Sequence, residues 1–345
     1  MDYELRYDLR NPLAWRRDWV ALYADFLDQV EWADAHGFSR VTLSEHHFSE
    51  DGYVPSTLTV AAAVAARTKS IRIALSLVLL PLKHPVQVAE DAAVVDIISG
   101  GRLELTVGAG YRPAEFAGYG IPMRERPGRM EEAIEIITRC WEEDRFSFAG
   151  TYWDLRDVQV QPKPVQQPRP RIVMGGSSKA AARRAARIAD GFAANQPEHA
   201  AAWREEMLRL GRDPDSQPKT ATVPAGVPTN FFLVAADPEA AWDIVGPHAL
   251  YESNMYVQWT AERGASPYQG AATPGELVAN GTYGVLTPDQ TVTRIRQHED
   301  RGHAGRLVFH PMMGGMPVAL GQEGLQLVVD EVMPMSATRT SAATV

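Results

Sequence analysis

Cys140 is the single cysteine of this 345-residue chain, so no intramolecular disulfide can form, and a reducing compartment is expected. It stands in a helical pattern with no nucleophile signature around it, and reads as packing. An excess of positive charge is also missing. Lys and Arg number 34 against 43 Asp and Glu, for a net charge of −9, which argues against nucleic acid or an acidic membrane as partner. No apolar run approaches the length of a membrane span; the longest, Leu75 to Leu82, is broken by Ser76 and Pro81. The opening MDYELRYDLRNP carries charges where a signal peptide needs an apolar stretch, so a cytoplasmic protein is expected. No repeat of fixed period and no G-x-S-x-G elbow occur.

What the chain does have is alternation. Tyr3–Asp8, Arg40–Leu43, Ile71–Leu79, Leu103–Val107, Ile172–Met174, Phe192–Asn195, Thr229–Val234 and Arg306–Phe309 read as short apolar strands. Helical spacing separates several of them, as in Trp19, Leu22, Phe26, Val30 and Ala33. About eight strand–helix alternations with buried strands predict a (β/α)8 TIM barrel with insertions over residues 1–335, followed by a disordered tail at 336–345. The proline-rich stretch from Phe146 to Arg171 reads as an excursion over the barrel wall. Glu262 to Tyr283 is long for a structureless loop and is expected to be a lid or disordered.

Three stretches carry possible chemistry. Glu45, His46 and His47 follow a short strand, where barrels place ligand-binding groups; the structural alternative is a Glu–His pair bracing the loop. Adjacent residues of an extended chain point opposite ways, so the two histidines do not suggest one metal ion, and no metal is expected. Gly175-Gly176-Ser177-Ser178 stands between a strand and a helix, where amides and hydroxyls can meet an anion; an ordinary N-cap is the alternative. Gly108-Ala109-Gly110 lacks the third glycine of a dinucleotide fingerprint, and its small residues leave room for a flat ligand. Arg112 and Glu115 follow, either as a solvent-exposed ion pair or as part of the site.

In order along the chain stand EHHF at 45–48, P-x-x-H-P at 81–85, AED at 89–91, S-G-G-R at 99–102 and G-x-G at 108–110. RMEEAIEII at 129–137, FAGTYW at 148–153 and AARIADG at 185–191 continue the series. Together they resemble the luciferase-like flavin monooxygenase family, and the stretch from Gly37 to Arg102 is similar to the bacterial luciferase alpha subunit. The resemblance implies a barrel that binds reduced FMN at its strand C-termini, with coenzyme F420 as the alternative cofactor. It implies a monooxygenase that oxidises a small organic substrate with O2 through a C4a-hydroperoxyflavin, supplied by a separate flavin reductase; a homodimer is expected. F420-dependent hydride transfer is the second reading and a non-catalytic flavin-binding barrel the third.

By the same resemblance His46 serves the flavin chemistry; from the residues themselves, Glu45 beside it is expected to orient the imidazole. A non-proline cis peptide is implied near Ser76-Leu77 under the flavin ring. Gly108 and Gly110 border the cofactor, and Gly175, Gly176, Ser177 and Ser178 hold its phosphate. Bacterial luciferase carries a cysteine-arginine pair where Gly108-Ala109 stand here, a departure that argues against light emission.

Overall fold

A computed structural model of the chain describes residues 1–194, 196–216, 231–262, 270–281, 283–300 and 306–337. In chain order the elements are Asp2–Tyr7 (β1), Trp19–Ala35 (α1), Arg40–Leu43 (β2), Thr57–Arg67 (α2), Arg72–Leu79 (β3), Pro85–Ser99 (α3) and Leu103–Gly108 (β4). Pro113–Gly118 (α4), Arg126–Glu142 (α5), Phe146–Ala149 (β5), Asp154–Val158 (β6), Ile172–Gly176 (β7), Lys179–Ile188 (α6), Gly191–Ala194 (β8) and Pro197–Arg209 (α7) follow. The chain continues with Phe231–Val234 (β9), Pro238–Ala261 (α8), Pro274–Ala279 (α9), Tyr283–Leu286 (β10), Pro288–Asp300 (α10), Arg306–Phe309 (β11) and Val318–Leu327 (α11). The fold is an α/β barrel of the (β/α)8 TIM type with insertions. Among the described residues no helix is long and apolar enough to cross a membrane.

Two compact units make up the chain. The first comprises residues 1–41, 49–53 and 227–345. Its strands run in the order β10-β9-β11-β1, and each neighbouring pair is parallel. Tyr3, Leu5 and Tyr7 of β1 are all buried, and Phe26 of α1 meets the Tyr7 ring edge-on at 4.8 Å. Leu5 and Phe26, 0% exposed, each contribute roughly 1.5–3 kcal/mol by leaving water. A second cluster in this unit joins Leu233, Val245, Ala249, Leu277, Tyr283, Met313 and Met316.

Residues 42–48 and 54–226 form the second unit, with strands in the order β2-β3-β4-β7-β8. The pairs β3·β4, β4·β7 and β7·β8 are parallel. The register of β3 on β4 shifts between Ser76 and Val78, and the Ser76–Leu77 peptide is cis. The S-G-G-R motif serves the fold. Its Arg102 guanidinium donates to the carbonyls of Ala65, Thr68, Ile71 and Ser99, closing the end of α2 and the turn before β4. The proline-rich excursion is an antiparallel hairpin, β5·β6, continued by loop. Buried Asp96 holds that loop by accepting from the amides of Val165 and Gln166.

Some expectations differ from the described structure, and others fall partly outside the described residues. Pro274–Ala279, within the segment read as a lid, is a helix started by Pro274 and capped by Thr273, and its Leu277 is 1% exposed in the core of the first unit. Residues 263–269 and 282 of that segment lie outside the described residues. Of the tail, Ser336 and Ala337 belong to a closing helical turn, whereas 338–345 are outside the description. The strand read as Thr229–Val234 is described from Phe231 onward. A further strand, Tyr283–Leu286, went unseen, because YGVL is only four residues long and has a glycine at its second position.

Candidate functional site

The ionisable residues after β2 are buried: Glu45 is 3%, His46 6% and His47 3% exposed. Groups so placed must be paired, and each histidine has its own carboxylate. The Oε1 of Glu115 lies 2.8 Å from His46 Nδ1 and accepts from the backbone amide of His47 at 2.9 Å. Arg112 stands 3.6 Å from the same oxygen, and donates to the His47 carbonyl. The other ring nitrogen of His46 lies 3.3 Å from the Tyr111 hydroxyl. An ionised Glu115 can only accept, so a neutral His46 carries its proton on Nδ1 and turns the Nε2 lone pair toward Tyr111.

Glu45 therefore does not orient His46. Its Oε1 lies 3.1 Å from His47 Nε2 and 3.2 Å from Lys83 Nζ, and its Oε2 accepts from Thr57 at 2.8 Å. Tyr119 closes the other side of His47, with its hydroxyl 3.1 Å from Nδ1. Burial pushes Glu45 up, but the His47 hydrogen bond, the Lys83 charge and the Thr57 hydroxyl outweigh it and hold the carboxyl below its ordinary value. His47 and Glu45 thus pair as the structural alternative anticipated, and the hydrogen bonds of His46 run instead to Glu115 and Tyr111.

Local sequence explains how Glu115 arrives there. Pro113 opens α4 at its first position, and Glu115 falls in the first turn, where a carboxylate suits the helix dipole. Far from being a solvent-exposed ion pair, Arg112 and Glu115 are 5% and 0% exposed. The P-A-E signature of a helix start was the available signal.

Leu77, which follows the cis peptide, fills the space left by two glycines. A Cβ on Gly108 would come within 2.5 Å of its side chain, and one on Gly175 within 2.6 Å. Ser76 and Leu77 are only partly buried, between the buried Leu75 and Val78, and Tyr111, beyond the end of β4, is partly buried as well. Gly110 is also partly exposed, with its carbonyl held by Arg126 at 3.3 Å. Gly175 and Gly176 end β7, and Ser178 caps α6 by accepting from the Ala181 amide at 3.1 Å. That capping leaves the Ser178 O–H and the exposed Ser177 hydroxyl as donors beside the first-turn amides of a ten-residue helix. This donor set fits a phosphate group. Cys140 is 1% exposed and burial pushes its thiol up to about 11, consistent with packing.

The first unit holds a second buried polar cluster that the sequence reading missed. Arg10, 0% exposed, pairs with Asp8 at 3.2 Å and with Asp51, while the rings of Tyr53, Tyr256 and Trp259 lie 4.6, 5.1 and 4.6 Å from its guanidinium. His310 stands between Asp8 at 3.5 Å and Glu252 at 3.4 Å. Burial raises Asp8, but His310, Arg10 and Arg6 outweigh it and hold this carboxyl far below its usual range; for Glu252 burial wins and the carboxyl is raised. Ligand atoms of Asp8, Glu252 and His310 lie within 4.8 Å of one another, as a metal site would require. Arg10 already pairs with Asp8, and the charges of Arg6 and Arg10 act on both carboxylates, so the cluster is read as an ion network.

Comparison with known proteins identifies the family. The family described as luciferase-like monooxygenase matches residues 16–304. The chain is 33% identical over 187 residues to an FMNH2-dependent dimethylsulfone monooxygenase of Pseudomonas putida, covering 52% of this chain and 50% of that one. It is 26% identical over 325 residues to an F420-dependent glucose-6-phosphate dehydrogenase of Microbacterium testaceum, covering 90% and 92%. Among solved structures, the oxygenating constituent of 3,6-diketocamphane monooxygenase from Pseudomonas putida, in complex with FMN, superimposes with a TM-score of 0.73 at 20% identity over 97% of this chain and 98% of that one. Several curated relatives are matched over only about half their length. With a match that spans most of its residues, the chain belongs to the luciferase-like monooxygenase family.

Proposed function

We propose that the chain is the oxygenase component of a two-component monooxygenase, using reduced FMN from a separate reductase and O2 to oxidise a small organic substrate. The observation that carries this reading is the Glu115–His46–Tyr111 relay, buried at Glu115 and His46, in the same unit as the donors at the start of α6. The relatives named for FMNH2 and FMN support it.

Ser177, Ser178 and the first-turn amides of α6 would hold the phosphate, and Ser76, Leu77, Gly108, Gly110, Gly175 and Gly176 would border the flavin. When bound, reduced flavin supplies the two electrons that let one oxygen atom of O2 enter the substrate while the other leaves as water. The protein's own contribution is to bind, to shield and to manage a proton. Glu115 fixes Nδ1 of His46, which leaves Nε2 to take up or return a proton through the Tyr111 hydroxyl. The Arg112 charge and the His47 amide steady the Glu115 carboxylate while the imidazole changes charge. The neighbouring His47 is engaged on both nitrogens and is left to structure.

Coenzyme F420-dependent hydride transfer is the second reading, favoured by the F420-dependent relative that aligns over 90% of this chain. A binding titration of reduced FMN, oxidised FMN and coenzyme F420, run side by side, separates the two. Preference for reduced FMN is expected, and tighter binding of F420 would transfer the proposal to the second reading.

A further inference from the structure

Helix α3 turns apolar side chains toward water. Its Val94, Ile97 and Ile98 are 42%, 37% and 46% exposed, and at i, i+3 and i+4 they share one side of the helix. The opposite side, with Val88, Ala92 and Val95, is buried in the second unit, so α3 is apolar on both faces toward its C-terminus. A face left to solvent looks like that of α5, whose outward positions carry Glu131 and Glu135. β-Branched residues are poor helix formers, so propensity does not account for a valine and two isoleucines there.

Neighbouring segments extend the stripe. Val165, 48% exposed, lies on the loop whose amide is held by Asp96 of α3, and a Cβ on Gly101 would come within 3.6 Å of its side chain. The outward side of α2, which packs beside α3, presents Ala62, Ala63 and Ala66, small enough to let another helix approach closely. Arg102 fixes how the two helices lie. It donates to the Ala65 and Thr68 carbonyls at the end of α2 and to the Ser99 carbonyl at the end of α3, which brings both C-termini together.

The two ends of this apolar face carry opposite charge. Glu90 and Asp91, both exposed, precede Val94 on α3, whereas Arg67 and Lys69, also exposed, stand where the C-termini of α2 and α3 meet. We infer that the α2–α3 face joins two copies of this chain as an antiparallel, two-fold dimer. An axis between the levels of Val94 and Ile97 packs Val94 of one copy on Ile97 of the other. The same rotation carries Glu90 and Asp91 to the Arg67 and Lys69 end of the second copy, whereas a parallel arrangement would set acid on acid. The proposal is independent of the cofactor reading.

Sedimentation velocity of the full chain from about 1 to about 100 μM tests it, and a species of twice the chain mass is expected. Ile98→Asp puts an unpaired charge inside the contact and should weaken dimerisation by about a hundredfold or more. Its circular dichroism should stay that of the parent, because the position faces water in a single chain. Glu90→Lys with Asp91→Lys makes both ends basic, and Arg67→Glu with Lys69→Glu makes both acidic. Each of these chains alone should dimerise about tenfold more weakly or worse, and an equimolar mixture of the two should recover a dimer of one copy of each. A parent that stays monomeric throughout, a dimer indifferent to Ile98→Asp or to the charge reversals, or charge variants that fail to recover on mixing would overturn the assignment.

Discussion

Glu115, sixty-nine residues along the chain from His46, is the carboxylate that holds the His46 imidazole, with 2.8 Å between Oε1 and Nδ1. Glu45, its immediate neighbour, is spent on His47, Lys83 and Thr57. On the proposed reading, the pairing divides two adjacent histidines into one that serves a relay and one that serves the fold. It also separates, by mutation, effects on rate from effects on stability.

His46→Ala is expected to lower turnover by about 10²–10⁴, the range for loss of a general acid or base. Glu115→Gln should lower it too, by less, because the imidazole loses the carboxylate that fixes its tautomer. Steady-state rates across pH check this. A Glu45→Gln protein with a larger rate defect than Glu115→Gln would show the roles are reversed.

Stability should depend on pH through Glu45. Its folded value lies below the ordinary one, so its contribution is present above the unfolded value of about 4.3 and is lost as pH falls through the lower folded value. Glu45→Gln should therefore be less stable than the parent at neutral pH, with the gap closing in acid. Urea midpoints at a series of pH values measure it, and a gap that widened in acid would reverse the sign.

For Glu252 the sign is opposite. Burial raises its folded value, so its contribution is present below about pH 4.3 and is lost as pH rises through the folded value. Glu252→Gln keeps an oxygen for the Tyr283 hydroxyl, 3.3 Å away, while removing a charge that the fold disfavours. The melting temperature of the variant should therefore rise relative to the parent's as pH increases from about 4 to about 8. A loss that grew with pH would show that the ionised carboxylate is needed by His310 and Arg10.

At the start of α6 the two serines should behave differently. Ser178→Ala removes a cap and should cost about 1 kcal/mol of stability in addition to any affinity. Ser177→Ala, at an exposed position with no cap to lose, should weaken FMN binding alone. Gly176 is unsuited to such a test, since a Cβ there would come within 2.6 Å of the Ala181 side chain. Riboflavin, which lacks the phosphate, should bind weakly and ignore both substitutions; equal affinity for FMN and riboflavin in the parent would reduce the loop to a helix cap.

The strands that position His46, Gly108 and Gly175 were legible because a buried parallel strand is written as a short continuous apolar run. Ser178 could be foreseen as either cap or anion donor, and it is a cap with its O–H still available. What escaped was pairing over distance. The P-A-E start marked Glu115 as a helix-start glutamate but could not show it buried, because its burial is set by contact with a strand end far back in the chain. The same holds for Asp8, Glu252 and His310, each unremarkable in its own segment. Tyr283–Leu286 was missed because a four-residue strand with an internal glycine is fixed by its neighbours and not by its own pattern.

The most direct measurement is oxygen uptake by the purified chain mixed with reduced FMN, in parallel with the His46→Ala variant. Monooxygenase chemistry predicts that a substrate, once found in a screen of small organic compounds, is oxidised in step with reduced FMN and O2, and that this coupled turnover collapses in the variant. Coupled turnover in which parent and variant were indistinguishable, or substrate oxidation with F420 in the absence of O2, would contradict the account.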